Sequence, residues 1–106
     1  MDKAEILDRL EQVIAARKGG DVDKSYVAKL FKKGRKKIAQ KVGEEGVETA
    51  LAAVMGDRDE VISESADLLF HMMVLWADMG ITPDDIFEEL ARREGISGID
   101  EKNSRG

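Results

Sequence analysis

The sequence predicts an all-α fold, and three observations support this. With 42 % hydrophobic and 37 % charged residues, one proline and three phenylalanines, the composition is typical of helical rather than β-rich or disordered chains. Apolar residues recur at intervals of three and four, and glycines or capping residues separate the periodic segments. At 106 residues, we expect a single domain, residues 1–106.

The first half of the chain predicts two helices. The first runs from Ala4 to Arg17 and ends at Gly19-Gly20, because glycine commonly follows the last helical turn. The second is capped by Ser25 and continues in one apolar pattern to Met55. Gly34 and Gly43 are the positions where this long helix could bend.

The second half predicts two more helices and a tail. The third runs from Asp57 to Met79 and stops at Gly80, and the fourth begins at Thr82-Pro83 and lasts to about Arg93. Thr82 is a suitable cap, because its side-chain oxygen can accept a hydrogen bond from the first turn. Pro83 is well tolerated at the first helical position. Residues 94–106 contain many breakers and polar residues, so we expect an extended or mobile C-terminal tail.

Acidic residues occur on both helices that flank Gly56. Glu48 and Glu64 each lie eight residues from Gly56, and Glu45 and Asp67 each lie eleven residues from it. If these helices form a hairpin, an equal rise per residue brings the members of each pair to matching heights. The spacing therefore predicts that four carboxylates converge.

Convergent carboxylates repel one another unless a cation lies between them. Oxygen ligands without histidine or cysteine companions favour magnesium, with manganese as a substitute, over zinc or copper. The alternative is that these acids are solvated surface residues paired with nearby lysines. The symmetric double cluster favours the metal site.

A basic segment precedes the acids. The net charge is −5, yet the stretch from Lys29 to Lys41 carries seven basic residues and no acid. Lys37 and Lys41 continue with helical spacing to Glu45 and Glu48. Such a run can be a nucleic-acid contact or a solvated face. Lysines beside metal-binding carboxylates suit a polyphosphate.

The stretch from Leu68 to Trp76 is apolar on almost every side. It is too short to span a membrane, and one bundle of this size cannot readily cover it. We therefore expect a second copy of the chain to cover part of it; the alternative is a helix buried within the monomer. Within this stretch, His71 lies four residues beyond Asp67 and seven beyond Glu64, on a helix face that is hereafter the acidic stripe. It could act beside the site, or it could be a hydrogen-bonded core residue.

The chain contains no cysteine, which excludes disulfides and thiolate metal sites. The N-terminal residues lack the basic and apolar pattern of a secretory signal. We expect a soluble, cytoplasmic protein that does not contact membranes.

Several segments together resemble a known family. The motif of Glu44, Glu45 and Glu48 followed by Glu64 and Asp67 is similar to that of the MazG-like all-α nucleotide pyrophosphohydrolases. The resemblance becomes more specific in the segments from Ser25 to Phe31, from Lys37 to Glu45, from Ala66 to His71 and from Ser97 to Lys102. Over essentially the whole chain, they resemble the phosphoribosyl-ATP pyrophosphatases of histidine biosynthesis.

The resemblance implies magnesium-dependent hydrolysis of phosphoribosyl-ATP to phosphoribosyl-AMP and pyrophosphate, the second step of histidine biosynthesis. It also implies MazG-like helical bundles assembled as a homodimer or a larger oligomer. A cyclohydrolase fused to some members resembles a cysteine-bound zinc enzyme, which a short chain without cysteine cannot include.

On this basis we assign roles to the residues. Glu45, Glu48, Glu64 and Asp67 are the predicted metal ligands, and Glu44 is the candidate that orients or deprotonates the attacking water or completes the metal shell. Phosphate contacts are expected from Lys37 and Lys41. Weaker candidates for substrate contact are Ser25, Tyr26, Lys29 and Lys33.

The same sequence features are compatible with two other functions. A house-cleaning pyrophosphohydrolase of nucleoside triphosphates would use the same acidic motif. A non-catalytic helical dimer would bind nucleic acid through the basic segment, and its binding would survive loss of the acids.

Overall fold

The computed structural model describes residues 2–95 and 98–105. Within these ranges the chain forms helices and no strand, which confirms the all-α prediction. The helices are α1 (Lys3–Arg17), α2 (Tyr26–Lys33), α3 (Arg35–Val54), α4 (Arg58–Met79), α5 (Pro83–Arg93) and α6 (Gly98–Ser104).

The centre of the fold is the antiparallel hairpin of α3 and α4, which contact each other more extensively than any other pair. The turn follows the sequence prediction. Gly56 adopts φ 72°, a left-handed conformation that glycine adopts at no steric cost. The side chain of Asp57 then accepts a hydrogen bond from the backbone N–H of Glu60 at 3.1 Å and caps α4.

Local sequence signals also correctly predicted the end of α4 and the start of α5. Gly80 ends α4 in a left-handed conformation at φ 72°. Thr82 and Asp85 form a reciprocal capping box, and Pro83 occupies the start of α5. Such caps satisfy the backbone N–H groups that a first helical turn leaves without partners.

The core joins the first two helices to the hairpin. Its central cluster of buried hydrophobic residues comes from α1, α2, α3 and α4: Ile14, Val27, Leu30, Ile38, Met73 and Val74. Met73 and Val74 are 3 % and 0 % exposed within the single chain. This part of the apolar stretch from Leu68 to Trp76 therefore lies in the monomer's own core, as the alternative to a subunit contact predicts.

The predicted second helix is in fact two helices. Gly34, at φ 95° and ψ 177°, ends α2 and starts α3, a conformation that L side chains rarely adopt. The apolar pattern continues across this glycine, so periodicity alone did not reveal the break. Gly43, the other expected bend, lies within the uninterrupted α3.

The predicted extended or mobile tail, 94–106, is wrong where α6 forms over Gly98–Ser104. Gly95, at φ 81°, follows the end of α5, and the chain becomes helical again from Gly98 instead of continuing without structure. Lys102 in the last turn complements the helix dipole. Residues 96, 97 and 106 of the predicted tail lie outside the described residues.

None of the helices in the described ranges is both long enough and apolar enough to cross a membrane.

Candidate metal and phosphate site

Three carboxylates meet across the hairpin. Glu45 and Glu48 lie three residues apart on α3, and Glu64 faces them from α4; each offers one oxygen, and these oxygens lie within 4.8 Å of one another. Glu45 is buried, with 7 % of its surface exposed, whereas Glu64 is half-buried and Glu48 is exposed. Three of the four predicted ligands therefore come together.

Acids dominate the electrostatics of this cluster, although the Lys41 ammonium lies beside Glu45. The neighbouring carboxyls of Glu45 and Glu48, to which a protonated Glu64 can donate, together with burial, raise the pKa of Glu64 from its ordinary 4.5 to about 8. When all three carboxylates are ionised, Oε2 of Glu45 and Oε2 of Glu64 are buried and have no hydrogen-bond partner. Buried oxygens are normally satisfied, so these two oxygens and the clustered acids fit a hard divalent cation.

Asp67 lies outside the group of three carboxylates. It is one turn beyond Glu64 and is exposed, and its carbonyl accepts a hydrogen bond from His71. The equal-height count paired it with Glu45, but that count treats the helices as parallel rods, and packed helices usually cross at an angle. Its role as a metal ligand stays a prediction.

Lys41 connects the acidic cluster to the preceding turn of α3. Its Nζ lies 3.2 Å from Oε2 of Glu44 and 3.7 Å from Oε1 of Glu45. Hydrogen bonds from Gln40 and Lys41 lower the pKa of Glu44, an exposed residue. A carboxyl with a lowered pKa is a poor proton acceptor, so this environment favours an orienting role for Glu44 over deprotonation of water.

Hydrogen bonds also join Tyr26 to the acidic side of α4. The Tyr26 hydroxyl lies 2.8 Å from Nε2 of His71, and Nδ1 of His71 lies 2.7 Å from the carbonyl oxygen of Asp67. His71 is 5 % exposed, so it is both a hydrogen-bonded core residue and a neighbour of the site. The Tyr26 contact was missed in the sequence, where the two residues stand 45 positions apart.

The remaining substrate-contact candidates lie on or beside α2 and α3. The Ser25 hydroxyl accepts a hydrogen bond from the N–H of Ala28 at 3.1 Å and caps α2. Lys29 and Lys33 are exposed and follow Tyr26 at intervals of three and four residues, the spacing of one helix face. Lys37 is half-buried, and its charge contributes to the lowered pKa of Glu44.

Two depressions in the surface meet at Glu48. One, of about 330 Å³, also contacts Leu51, Met55 and Glu64, and the other, of about 490 Å³, contacts Glu44 and Val47. The acidic cluster therefore opens to solvent between two grooves with apolar walls, which gives a ligand access from the surface.

A model of the phosphoribosyl-ATP pyrophosphohydrolase family matches residues 7–94. The chain belongs to this family. Curated relatives agree: it is 61 % identical to a phosphoribosyl-ATP pyrophosphatase of Paramagnetospirillum magneticum, over 96 % of this chain and 94 % of that protein. The proteins of the same name from Azospirillum brasilense and Rhodospirillum rubrum are 61 % and 57 % identical, over 96 % and 95 % of this chain and 92 % and 86 % of theirs.

Membership in the phosphoribosyl-ATP pyrophosphohydrolase family confirms the resemblance drawn from the sequence motifs. The matched region, 7–94, includes every residue to which a role was assigned. It also includes His71, whose ring is hydrogen-bonded to Tyr26.

Proposed function

We propose that this protein hydrolyses phosphoribosyl-ATP to phosphoribosyl-AMP and pyrophosphate, the second step of histidine biosynthesis, with Mg²⁺ or, as a substitute, Mn²⁺. One observation carries the proposal: a chain of this family presents three clustered carboxylates, with two buried oxygens that have no partner. The divalent cation that accompanies a polyphosphate would supply positive charge to these acids.

Glu45, Glu48 and Glu64 would hold the cation, and Asp67 is a fourth candidate ligand one turn along α4. A divalent ion held by these residues would neutralise phosphate charge and would lower the pKa of a water bound to it. Glu44, held in its ionised form by Gln40 and Lys41, is suited to orient the attacking water.

The lysines would hold the phosphates and stabilise the departing pyrophosphate. Lys41 is already placed between Glu44 and Glu45, where it can exchange a carboxylate contact for a phosphate oxygen, and Lys37 lies one turn earlier on α3. Neither lysine needs to act as a nucleophile, because positioning and charge stabilisation account for most catalysis of phosphoryl transfer.

Hydrolysis of other nucleotides is the nearest alternative, since the acids would serve any nucleoside triphosphate. Pyrophosphate release should be measured on phosphoribosyl-ATP and on a panel of nucleoside triphosphates, with magnesium and with excess chelator. The proposal expects a strong preference for phosphoribosyl-ATP and no turnover in chelator. Full turnover in chelator, or equal rates across the panel, would contradict it.

The structure gives little support to nucleic-acid binding. The basic segment is divided between α2 and α3 at Gly34, and Lys41 pairs with Glu44 and Glu45. We therefore propose that the protein has no nucleic-acid partner. Its membership in a family of biosynthetic enzymes supports a cytoplasmic location, which we also propose. Salt-sensitive RNA binding that survived loss of Glu45 and Glu48 would favour the alternative.

We further propose that the enzyme is a homodimer or a larger assembly. Exposed apolar residues lie near the tip of the hairpin and are hereafter called the hairpin-tip face: Val47, Leu51, Val54, Met55 and Ile62, each between 53 % and 84 % exposed. Val47, Leu51 and Val54 follow one another at helical spacing on α3, and exposed apolar residues grouped in this way are typical of an interaction site. In a homodimer, the second copy would cover part of this face and would border the grooves beside Glu48 that Val47, Leu51 and Met55 line.

A charge on this face should separate the subunits. Leu51→Glu should give a monomer at micromolar concentration in sedimentation experiments, because an unpaired charge is costly to bury. Leu90→Glu is the control, since Leu90 lies on α5 and is 57 % exposed, close to the 60 % of Leu51. A monomeric wild type, or equal effects of both variants, would contradict the proposed face.

A further inference from the structure

The hydrogen bonds of His71 identify which nitrogen carries its proton. The carbonyl oxygen of Asp67, 2.7 Å from Nδ1, can only accept a hydrogen bond, so Nδ1 must donate. In the neutral ring, Nε2 is then an acceptor, and the Tyr26 hydroxyl, 2.8 Å away, must donate to it. The backbone of α4 thus sets the direction of the hydrogen bond that leads to Tyr26.

Tyr26 becomes an acceptor toward everything else. Its hydroxyl has one proton, which is committed to His71, and its remaining lone pairs can only accept hydrogen bonds. Burial raises the pKa of this hydroxyl, the charge of Lys41 lowers it, and those of Glu45, Asp67 and Glu44 raise it, with a net increase. The hydroxyl therefore stays protonated at neutral pH, within the electrostatic influence of the acidic cluster.

Packing holds the phenol ring in this position. The rings of Tyr26 and His71 meet edge to face at 5.7 Å, and the Phe70 ring stacks at 6.3 Å from Tyr26. The cap of Ser25 on α2 fixes the backbone immediately before Tyr26. Yet Tyr26 remains 49 % exposed, so a bound molecule can reach it.

We propose that Tyr26 contacts the substrate as a hydrogen-bond acceptor for a ribose hydroxyl, and that His71 is the positioning residue that imposes this role. The contact rests on the proposed function. An acceptor-only oxygen repels phosphate oxygens, so Tyr26 does not belong with the phosphate-binding lysines. In a phosphoribosyl nucleotide, the ribose hydroxyls are neutral groups that can donate to it.

Kinetics of three single variants test the contact on phosphoribosyl-ATP. Tyr26→Phe should raise KM roughly three- to tenfold and leave kcat nearly unchanged, as expected for the loss of one hydrogen bond made to the bound substrate. His71→Asn keeps an amide donor near the position of Nδ1 but loses the Nε2 acceptor, so it should resemble Tyr26→Phe. His71→Gln keeps an acceptor near Nε2 and should retain a KM close to that of the wild type.

Two comparisons separate positioning from a purely structural effect. The Tyr26→Phe/His71→Asn double variant should bind no more weakly than Tyr26→Phe alone, because both changes remove the same contact. A set of substrate analogues, each lacking one ribose hydroxyl, should then be compared. One of them should bind the wild type more weakly than phosphoribosyl-ATP does, whereas Tyr26→Phe should bind that analogue and phosphoribosyl-ATP equally well. An equal penalty on every analogue would mean that Tyr26 serves Lys41 or a water, and would overturn the contact.

The tautomer can be tested without any turnover. Tyr26 and His71 are the chain's single tyrosine and single histidine, so ¹⁵N NMR of labelled histidine reports on this ring alone. In the neutral ring we expect a proton on Nδ1 and none on Nε2, whose resonance shifts in Tyr26→Phe. A proton on Nε2 would overturn the positioning role.

The outcomes also distinguish the two proposals. A wild-type enzyme inactive on phosphoribosyl-ATP would remove the proposed function and the ribose contact with it. An active wild type with an unchanged KM in Tyr26→Phe would remove only the contact. If His71→Asn fails to fold, the Tyr26→Phe kinetics and the NMR of the wild type still decide.

Discussion

Glu64 and Glu89 are two carboxylates of one chain in opposite environments. Both have an ordinary pKa of 4.5, but two neighbouring acids and burial raise the pKa of Glu64 to about 8, whereas hydrogen bonds from Arg92 and Arg93 lower that of Glu89 to about 2. Glu89 is the solvated, paired surface acid that was the alternative for the whole acidic motif. The contrast lies in the neighbours: two arginines lower the pKa of Glu89, whereas the groups that raise the pKa of Glu64 are two other acids.

The largest expected effect tests whether this contrast reflects function. Glu48→Ala should lower turnover of phosphoribosyl-ATP on the order of hundreds-fold, because it removes a proposed metal ligand. Stability should change little or increase as repulsion is relieved. Glu89→Ala removes the same charge from a paired site and should leave turnover near that of the wild type. Steady-state rates and thermal unfolding of the pair measure both effects.

Asp67→Ala sharpens the boundary of the cluster. If Asp67 is a fourth ligand, its removal should also cost on the order of hundreds-fold in turnover and weaken magnesium binding in a metal titration. A loss much smaller than that of Glu48→Ala, with unchanged metal affinity, would restrict the ligands to the three carboxylates that meet in the structure.

The sequence predicted the elements that depend on local signals. The hairpin turn and the start of α5 follow from capping residues, a glycine and a proline within a few positions of each other. Gly34 was predicted as a possible bend but not as a break, because the apolar pattern continues across it and favours one long helix. The helix Gly98–Ser104 was missed because neighbouring glycines and polar residues also suit an extended chain.

The site was predictable to the extent that it follows helical spacing. Glu45 and Glu48 share a face of α3, and a two-helix turn brings Glu64 opposite them. The position of Asp67 depends on how the helices cross, which residue counting does not supply. The bond between Tyr26 and His71 depends on how α2 packs against α4, a long-range contact that carries no local signal beyond the place of His71 on the acidic stripe.

A comparison of two lysines separates a specific contact from a general positive field. Lys41→Ala should raise KM for phosphoribosyl-ATP on the order of tenfold, since Lys41 lies 3.7 Å from Glu45 of the cluster. Lys32→Ala removes the same charge from α2, beside Phe31 and Lys18 in a different depression, and should change KM little. Equal, strongly salt-dependent losses would instead indicate diffuse steering.

The raised pKa of Glu64 predicts how the metal-free protein responds to base. An acid that holds its proton more tightly in the folded state contributes stability that is fully present below pH 4.5 and is lost as the pH rises to about 8. The melting temperature in chelator should therefore fall by several degrees across this window. Glu64→Gln should flatten the fall, and magnesium should oppose it, because metal ions compete with protons for these oxygens. An unchanged slope in Glu64→Gln would contradict the assignment.

The smallest expected effect is at Glu89, where the sign is opposite. Its pKa is lower in the folded chain, so its stabilising contribution is present above pH 4.5 and is lost as the pH falls toward about 2. Because the Glu89 side chain is 44 % exposed, water screens its pairs with Arg92 and Arg93, and Glu89→Gln should lower the melting temperature at pH 7 by only about one degree. The difference from wild type should vanish near pH 2, and magnesium should not alter it. If magnesium changed the melting-temperature difference between Glu89→Gln and the wild type, the metal effect would not be specific to the hairpin cluster.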